Sequence, residues 1–330
     1  MMTLLRTSRQ LLSSSSRVAI APSLLATRAF STAPHGITTV GVVGLGLMGH
    51  GIAQTAAEKG FNVIAVEAEQ KFLDGGMARI EGSVKKLAAK AVKKGKMSEE
   101  DAASASAATL GRVTPGLGYE SLAGCDIVVE AVIEDLKLKE TLYSTLGRVC
   151  KPDAILASNT SSLPIGAMAG YCGRPSHMIG LHFFNPVQLM QLVEVIRTED
   201  TDPAVFQRGF AFAKALGKTP IDCIDTPGFV VNRLLVPFLI EAILLLERKV
   251  ASAPDIDTAM KLGAGHPMGP IHLADYIGLD TVLSIIAGWQ EAHPADGFVV
   301  PDSLKEMVKA GKLGRKSGEG YYKWDGDKLA

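Results

Sequence analysis

Hydrophobic and polar positions alternate between two periods through the first two thirds of the chain. Short β-branched runs predict strands, and longer stretches with apolar residues every three or four positions predict helices. The predicted strands are 38–43, 61–67, 126–130, 154–159 and 219–224. The predicted helices are 50–59, 69–95, 98–109, 135–149 and 203–216. This alternation predicts an α/β fold, a Rossmann-like doubly wound sheet with an inserted helical pair at 69–109.

From about residue 227 only the helical period remains. The run 229–248 is long and apolar, and further helices are predicted at 255–262, 269–277, 278–291 and 302–310. The run contains Arg233, Glu241 and Glu247, which argues against a membrane span and favours a core or subunit-interface helix. The pattern therefore predicts a Rossmann domain at 35–226 and an all-α C-terminal domain at 227–330.

The first 34 residues differ in composition from the rest of the chain. They carry four arginines and many serines but no lysine and no acid, and the first acidic residue is Glu58. Such a segment is typical of a mitochondrial transit peptide, with a disordered tail as the alternative. Without these arginines, 30 basic and 34 acidic residues leave a net charge near −4. That balance argues against nucleic acid as a partner.

The cysteines show no paired spacing, which predicts reduced thiols rather than a disulfide framework. They are Cys125, Cys150, Cys172 and Cys223. No cluster has metal-ligand spacing either, so the sequence predicts no metal site.

A glycine-rich segment between the first strand and first helix fits the dinucleotide fingerprint G-x-G-x-x-G. Its glycines would permit the tight turn, the approach of a pyrophosphate and close helix–strand packing. The six residues are Gly44, Leu45, Gly46, Leu47, Met48 and Gly49. Glu67, 18 residues beyond Gly49, ends the second strand and is placed to accept from a ribose 2′-hydroxyl. The segment predicts NAD binding in preference to NADP; the alternative is a glycine-rich turn in an unrelated α/β protein.

Residues 181–195 contain a histidine and a carboxylate twelve positions apart, His182 and Glu194. The turn at Asn185-Pro186 separates two short apolar runs. Two strands joined by such a turn can bring an imidazole beside a carboxylate, which makes an oriented general base. Together with a nicotinamide site, this predicts oxidation of an alcohol by hydride transfer.

The helix predicted at 69–95 becomes basic towards its end. Lysines at four positions share one face. They are Lys86, Lys90, Lys93 and Lys94. Either this face is solvated, or it binds a substrate with several phosphates, such as a coenzyme A ester.

Seven motifs, taken together, resemble the L-3-hydroxyacyl-CoA dehydrogenases of fatty-acid β-oxidation. The resemblance covers about residues 37–324 in order and without large gaps. The motifs are GLGLMG (44–49), VVEAVIEDLKLK (128–139), SNTSSLPI (158–165), GLHFFNPVQLMQLVEV (180–195), DTPGFVVNRLL (225–235), DIDTAMKLGAGHPMGP (255–270) and GRKSGEGYY (314–322). The resemblance implies an NAD-dependent enzyme acting on an acyl-CoA substrate as a homodimer. The leader indicates the single-function form of the mitochondrial matrix.

The resemblance also implies roles for individual residues. His182 would be the base and Glu194 its orienting carboxylate. Ser161 and Asn185 would hold the substrate oxygen beside the cofactor, and Asn232 would complete the site from the second domain.

For the cofactor, the resemblance implies contacts from Glu134, Lys139 and Lys316. For the coenzyme A ester it implies Ser83 and Lys90, with Lys139 and Ser161 also near the substrate. Glutamate at 67 replaces an aspartate common in the family.

Simpler interpretations remain open for several of these residues. Ser161 and Asn159 could cap a helix beginning near Pro164, Asn232 could be a satisfied helix residue, and Glu134 a solvated acid. His266 is interpreted as a loop residue. Two other functions also remain open: a two-domain dehydrogenase of hydroxy acids or sugar acids, and a catalytically silent, crystallin-like NAD-binding protein.

Overall fold

The computed structural model describes residues 35–330, so the predicted transit peptide at 1–34 lies outside the described residues. The strands are β1 Thr39–Val43, β2 Asn62–Glu67, β3 Val113–Leu117, β4 Ile127–Glu130, β5 Ile155–Ser158, β6 Met178–Phe183, β7 Leu192–Arg197, β8 Thr219–Ile224, β9 Trp324–Asp325 and β10 Lys328–Leu329. The helices are α1 Gly49–Glu58, α2 Gln70–Lys93, α3 Glu99–Leu110, α4 Leu136–Val149, α5 Ile165–Tyr171, α6 Pro203–Ala215, α7 Val231–Glu247, α8 Ala253–Gly263, α9 Pro270–Ile277, α10 Leu279–Ala292 and α11 Asp302–Lys309. We call residues 39–224 the sheet region and residues 231–309 the helical region.

Within residues 35–330, eight strands form one sheet in the order β3-β2-β1-β4-β5-β6-β7-β8. All neighbours are parallel except β6 and β7, which are antiparallel. Both faces are covered, because Ile127 and Val129 of β4 belong to one apolar core and Val128 to another. The predicted doubly wound fold with an inserted helical pair, α2 and α3, is confirmed.

The chain order reverses at β1, which lies between β2 and β4. After β1 the chain builds β2 and β3 on one side and then returns to β4 on the other. Ligands of open α/β sheets bind at such a switch point, beyond the carboxyl ends of the strands. The glycine-rich segment after β1 lies there.

Two parts of the fold were not predicted. Strand β3 contains Pro115 and Gly116, which weaken a strand signal, but it pairs only with β2 at the edge of the sheet, where proline is tolerated. The hairpin of β9 and β10 has two residues in each strand, too short for a period to be read. The C-terminal part is therefore helical with a small added hairpin.

Helix α7 is the central helix of the helical region. Its buried residues include Leu239, Ile240 and Ile243, whereas Leu234 and Leu245 are exposed on another face. Among residues 35–330, no single helix is long and apolar enough to cross a membrane. Helices α9 and α10 meet the length and composition test only as a pair, bent by 95°.

All four cysteines are free, as predicted, and all four are buried. Burial raises the pKa of Cys125 to about 12 and that of Cys223 to about 11. Since the thiolate is the reactive form, these thiols are chemically quiet near neutral pH.

Asp126 fastens the start of the sheet. Its carboxylate accepts from the backbone N–H of Thr38 (2.7 Å) and Thr39 (2.9 Å), and it pairs with Lys151. Burial alone would raise the pKa of Asp126, but Lys151 and the two threonines outweigh it and hold the pKa below its ordinary value.

We expect Asp126→Asn to lower the free energy of unfolding at pH 7 by about 1–3 kcal/mol, because hydrogen bonds to a charged group weaken. A depressed folded-state pKa stabilises the protein above the unfolded value of about 3.9, and this contribution disappears as pH falls through the folded value. Urea unfolding at pH 7 and near pH 3 measures the difference in free energy of unfolding between the native protein and this variant. The difference should be smaller at the acidic pH. Asp222→Asn, in an exposed pair with Arg197, is the control. An equal difference at both pH values would contradict the assignment.

Candidate active site

A cavity of about 470 Å³ lies where the carboxyl ends of the central strands face the first turn of α7. One wall is the glycine-rich segment, represented by Gly46, Leu47 and Met48. Facing it are side chains predicted to be catalytic: Ser161, His182, Asn185 and Asn232. The sheet region and the helical region therefore both contribute to one site.

The glycine-rich segment has the geometry that a dinucleotide requires. Gly44 has a φ of +87°, which favours glycine, and a Cβ at Gly49 would overlap the carbonyl oxygen of Gly44. The space beside Gly46 is open. Helix α1 has no side-chain cap, so no capping side chain separates its N-terminus from an anion; in its first turn, the N–H of His50 donates to the carbonyl oxygen of Gly46. These residues fit the pyrophosphate of NAD.

Glu67 ends β2 beside this segment. Its Oε1 accepts from the backbone N–H of Leu45 at 2.5 Å. The longer glutamate side chain thus reaches the glycine-rich segment from the strand end. The carboxylate lies at the position where the fold places an acceptor for ribose hydroxyls.

His182 and Glu194 stand directly opposite each other on the antiparallel strands β6 and β7. The imidazole Nδ1 lies 2.6 Å from Glu194 Oε2, and both side chains are buried. A carboxylate only accepts hydrogen bonds, so Nδ1 carries the hydrogen and Nε2 is left as the acceptor. The arrangement can therefore remove a proton from a substrate in the cavity.

The second oxygen of Glu194 is bound by backbone amides at the start of α7. Oε1 accepts from the backbone N–H of Val230 (3.1 Å) and Val231 (2.8 Å), where α7 begins without a side-chain cap of its own. One carboxylate thus orients the imidazole and satisfies the first turn of the helix that carries Asn232. The sequence did not indicate this second contact.

A buried network of charged and polar side chains lies behind one wall of the cavity. Glu130, at the end of β4, is fully buried and binds Lys139, Tyr143 and Ser158. Lys139 also lies 3.0 Å from Glu134. Burial, together with the Glu130 charge, raises the pKa of Tyr143 well above its usual range, so its hydroxyl stays protonated and donates.

Glu134 connects this network to the cavity. It accepts from Thr160 Oγ1 (2.8 Å) and from the backbone N–H of Ser161 (3.0 Å), and it lines the cavity. Lys139, in contrast, lies behind the cavity wall with its ammonium group between two carboxylates. Sequence reasoning missed Glu130; an acid closing the otherwise apolar strand β4 was the available signal.

The loop after β6, residues 184–191, carries Asn185 and is held from two sides. The buried Lys218 donates to the carbonyl oxygens of Val187 and Met190 (2.8 Å to the latter). Gln188 Nε2 lies 2.8 Å from Gln54 Oε1 and 3.3 Å from Ser83 Oγ. Burial lowers the pKa of Lys218. Nothing in the sequence distinguished Lys218 from a surface lysine.

The predicted binding residues that do not line this cavity include Ser83, Lys90 and Lys316. Ser83 touches the loop 184–191 through Gln188, and Lys90 is exposed further along α2. Lys316 pairs with Asp280 at 2.5 Å, beside α10.

The structure supports some of the simpler interpretations of the polar residues and excludes others. Helix α5 has no side-chain cap, so neither Ser161 nor Asn159 caps it. Asn159 Oδ1 instead accepts from the backbone N–H of Phe183, which fixes the end of β6. No hydrogen bond of the Asn232 side chain occurs within residues 35–330. His266 lies in a loop, with its ring 5.0 Å from that of Phe238.

The models of one protein family match most of this chain. Residues 39–226 match the model of the NAD binding domain of 3-hydroxyacyl-CoA dehydrogenase, and residues 228–324 match the model of its C-terminal domain. A probable 3-hydroxybutyryl-CoA dehydrogenase of Deinococcus radiodurans is 48% identical over 86% of this chain and 99% of its own length. The mitochondrial hydroxyacyl-coenzyme A dehydrogenase of Homo sapiens is 46% identical over 86% of this chain and 90% of its own.

A solved structure gives the same result for the fold. The (S)-3-hydroxybutyryl-CoA dehydrogenase of Ralstonia eutropha superposes with a TM-score of 0.82 at 40% identity, covering 88% of this chain and 99% of that one.

Proposed function

The chain belongs to the 3-hydroxyacyl-CoA dehydrogenase family, and from this premise we propose that it oxidises L-3-hydroxyacyl-CoA esters to 3-oxoacyl-CoA esters in fatty-acid β-oxidation. It is a dehydrogenase, and its cofactor is NAD. The observation that carries the proposal is the buried His182–Glu194 pair in the same cavity as the glycine-rich segment.

His182 is the general base of the proposed reaction. Its Nε2 accepts the proton of the 3-hydroxyl group, and Glu194 stabilises the imidazolium that forms. When bound, NAD supplies the hydride acceptor. Asn185 and Ser161 donate to the substrate oxygen as it gains negative character, and Asn232 closes the cavity from the helical region.

Ser83 and Lys90 bind the coenzyme A part of the substrate in this account. Both lie on α2, and Ser83 touches Gln188 in the loop that carries Asn185. A bound ester would thus extend from the cavity along α2. Glu134 and Lys316 serve the cofactor, whereas Lys139 acts through Glu134, because its ammonium group faces carboxylates rather than the cavity.

The proposal is tested by NADH formation with a series of L-3-hydroxyacyl-CoA esters, beside the corresponding hydroxy acids without coenzyme A. Turnover of the esters alone supports it. Equal or faster turnover of the free acids would favour the hydroxy-acid dehydrogenase, and binding of NADH without any turnover would favour the silent NAD-binding protein.

We expect the enzyme to prefer NAD over NADP, because Glu67 would face the 2′-phosphate. Glu67→Ser should narrow the ratio of kcat/KM for the two cofactors by about 10- to 100-fold, the worth of one hydrogen bond to a charged group. Steady-state kinetics with both cofactors measure this ratio. Glu69→Ser, at a neighbouring acid, is the control and should leave it unchanged. Equal kcat/KM for both cofactors in the native enzyme would contradict the role of Glu67.

We propose a division into a Rossmann domain at 35–226 and a helical domain at 227–330, with residues 1–34 as the leader to the mitochondrial matrix. The mammalian relatives named as mitochondrial support this location. Fusion of residues 1–34 to a reporter protein tests it; a reporter that remains outside mitochondria would refute it.

We further propose a homodimer built mainly from the helical region. Its support is a set of large apolar side chains that the chain leaves exposed on α7 and α8: Leu234 is 70%, Leu245 39% and Leu262 83% exposed. Symmetric pairs are also the commonest oligomers.

Sedimentation at micromolar concentration should give about twice the chain mass, and Leu245→Glu should shift it towards the monomer, because a charge would be buried in the contact. Leu138→Glu, an equally exposed leucine on α4, is the matched control. A fully active monomer across a wide dilution range would refute the dimer.

A further inference from the structure

The segment that joins the sheet region to the helical region has an unusual backbone. Within residues 35–330, only Phe229 and Lys249 are non-glycine residues with positive φ, +52° and +56°. Lys249 is exposed just beyond α7, where this conformation commonly ends a helix. Phe229 is buried just before α7 begins, and there such a backbone is strained.

The turn that precedes Phe229 is held by two contacts. The Phe229 backbone N–H donates to the carbonyl oxygen of Thr226 at 3.0 Å. Gly228, with a φ of +78°, lies so close to the ring of Trp289 in α10 that a Cβ would overlap it. Trp289 of the helical region thus packs against the turn that precedes Phe229.

The strained backbone aims the Phe229 side chain at the proposed base. The ring centroids of Phe229 and His182 are 5.6 Å apart, with the planes tilted by 54°. A second ring, Phe184, lies 4.5 Å from the same imidazole. The imidazole is therefore held by two aromatic side chains as well as by Glu194.

The next two residues complete the arrangement. The N–H groups of Val230 and Val231 both bind Glu194 Oε1, whose partner oxygen binds His182. Three consecutive residues, 229–231, therefore touch both members of the pair.

We propose that Phe229 is a positioning residue for the base: its left-handed backbone delivers an aromatic ring to His182 and the two following amides to Glu194. This inference rests on the proposed function. The pair is then correctly oriented only while the first turn of α7 is docked on β7. An aromatic neighbour also favours the imidazolium that forms during proton transfer.

The test compares Phe229→Leu, which keeps the bulk but removes the ring, with Phe229→Gly, which suits the backbone but removes the side chain. Lys249→Gly is the matched backbone control, and His182→Gln is measured in parallel. We expect Phe229→Leu to lower kcat about tenfold, Phe229→Gly to lower it at least as much, and Lys249→Gly to change nothing. NADH affinity, measured by fluorescence titration, should stay the same in all of them.

The pH profile separates positioning from general loosening. Without the ring the charged imidazole is less favoured, so the acidic limb of kcat/KM should move to lower pH by about half a unit to one unit in Phe229→Leu. The inference would be overturned if Phe229→Leu kept the native kcat and the native position of the acidic limb of kcat/KM. It would also be overturned by a reduced kcat with an unmoved limb and a lower Tm. If Phe229→Gly does not fold, Phe229→Leu decides alone.

The parallel variant distinguishes the two possible failures. A native kcat in the His182→Gln enzyme would show that His182 is not the general base. That result would refute both the proposed function and this inference. An inactive His182→Gln enzyme beside unaffected Phe229 variants would overturn this inference only.

Discussion

Replacing His182 with glutamine is expected to lower kcat by about 10²–10⁴-fold while NADH still binds with native affinity. Glutamine fills similar space but cannot accept a proton from the 3-hydroxyl group. The glycine-rich segment and Glu67, which would hold most of the cofactor, are not altered. Steady-state NADH formation and NADH fluorescence titration measure the two quantities.

His266→Gln is the matched control, because this histidine packs on Phe238 in a loop outside the cavity lining. It should keep native kcat. A His182→Gln enzyme with nearly native kcat would remove the imidazole from the mechanism.

Glu194→Gln is expected to lower kcat by about 10³–10⁴-fold, as when a triad aspartate becomes asparagine and the histidine takes the wrong tautomer. The amide oxygen can still accept from Val230 and Val231, which directs the amide NH₂ towards His182 Nδ1. Nδ1 must then accept, so the hydrogen moves to Nε2. The imidazole can no longer take the substrate proton.

This variant also weakens the start of α7, so stability must be measured beside kcat. Asp202→Asn makes the same chemical change at the N-cap of α6, away from the cavity. Both variants should lose stability, Glu194→Gln more because its carboxylate is buried, but only Glu194→Gln should lose turnover. Glu194→Asp should recover part of the activity because it keeps the charge. An active Glu194→Gln enzyme would contradict the tautomer argument.

The contact between His182 and Glu194 was predictable because it depends on local chemistry. Two apolar runs around an Asn-Pro turn favour a hairpin-like pair, and alternation places both residues on one face. The structure sets them directly opposite each other. The glycine-rich segment was predictable for the same reason, since its strand, turn and helix are contiguous.

Contacts between distant segments could not be predicted from the sequence. Lys139 was interpreted as a cofactor residue, yet it lies on the buried face of α4 with Leu142, Tyr143 and Leu146. Its spacing from these apolar residues was the signal that its ammonium group points inward. Whether a buried lysine finds carboxylates depends on Glu130, which reaches it from another strand.

The contact of Glu194 with α7 was hidden for the same physical reason. A helix start without a side-chain cap can be recognised in a sequence, but the group that satisfies its N–H donors comes from 36 residues earlier in the chain. The positive φ of Phe229 could not be predicted either, because phenylalanine does not favour it, and the neighbouring Gly228 packs against Trp289, a residue far along the chain.

The central claim is that His182 and Glu194 act as one unit in the oxidation of an L-3-hydroxyacyl-CoA ester. The most direct test is kcat/KM for the native enzyme, His182→Gln, Glu194→Gln and the double variant, with L-3-hydroxybutyryl-CoA and NAD. When two residues act as one unit, replacing either one lowers kcat/KM by about as much as replacing both. We predict similar losses in all three variants, whereas a double variant whose loss equals the product of the single losses would contradict the account.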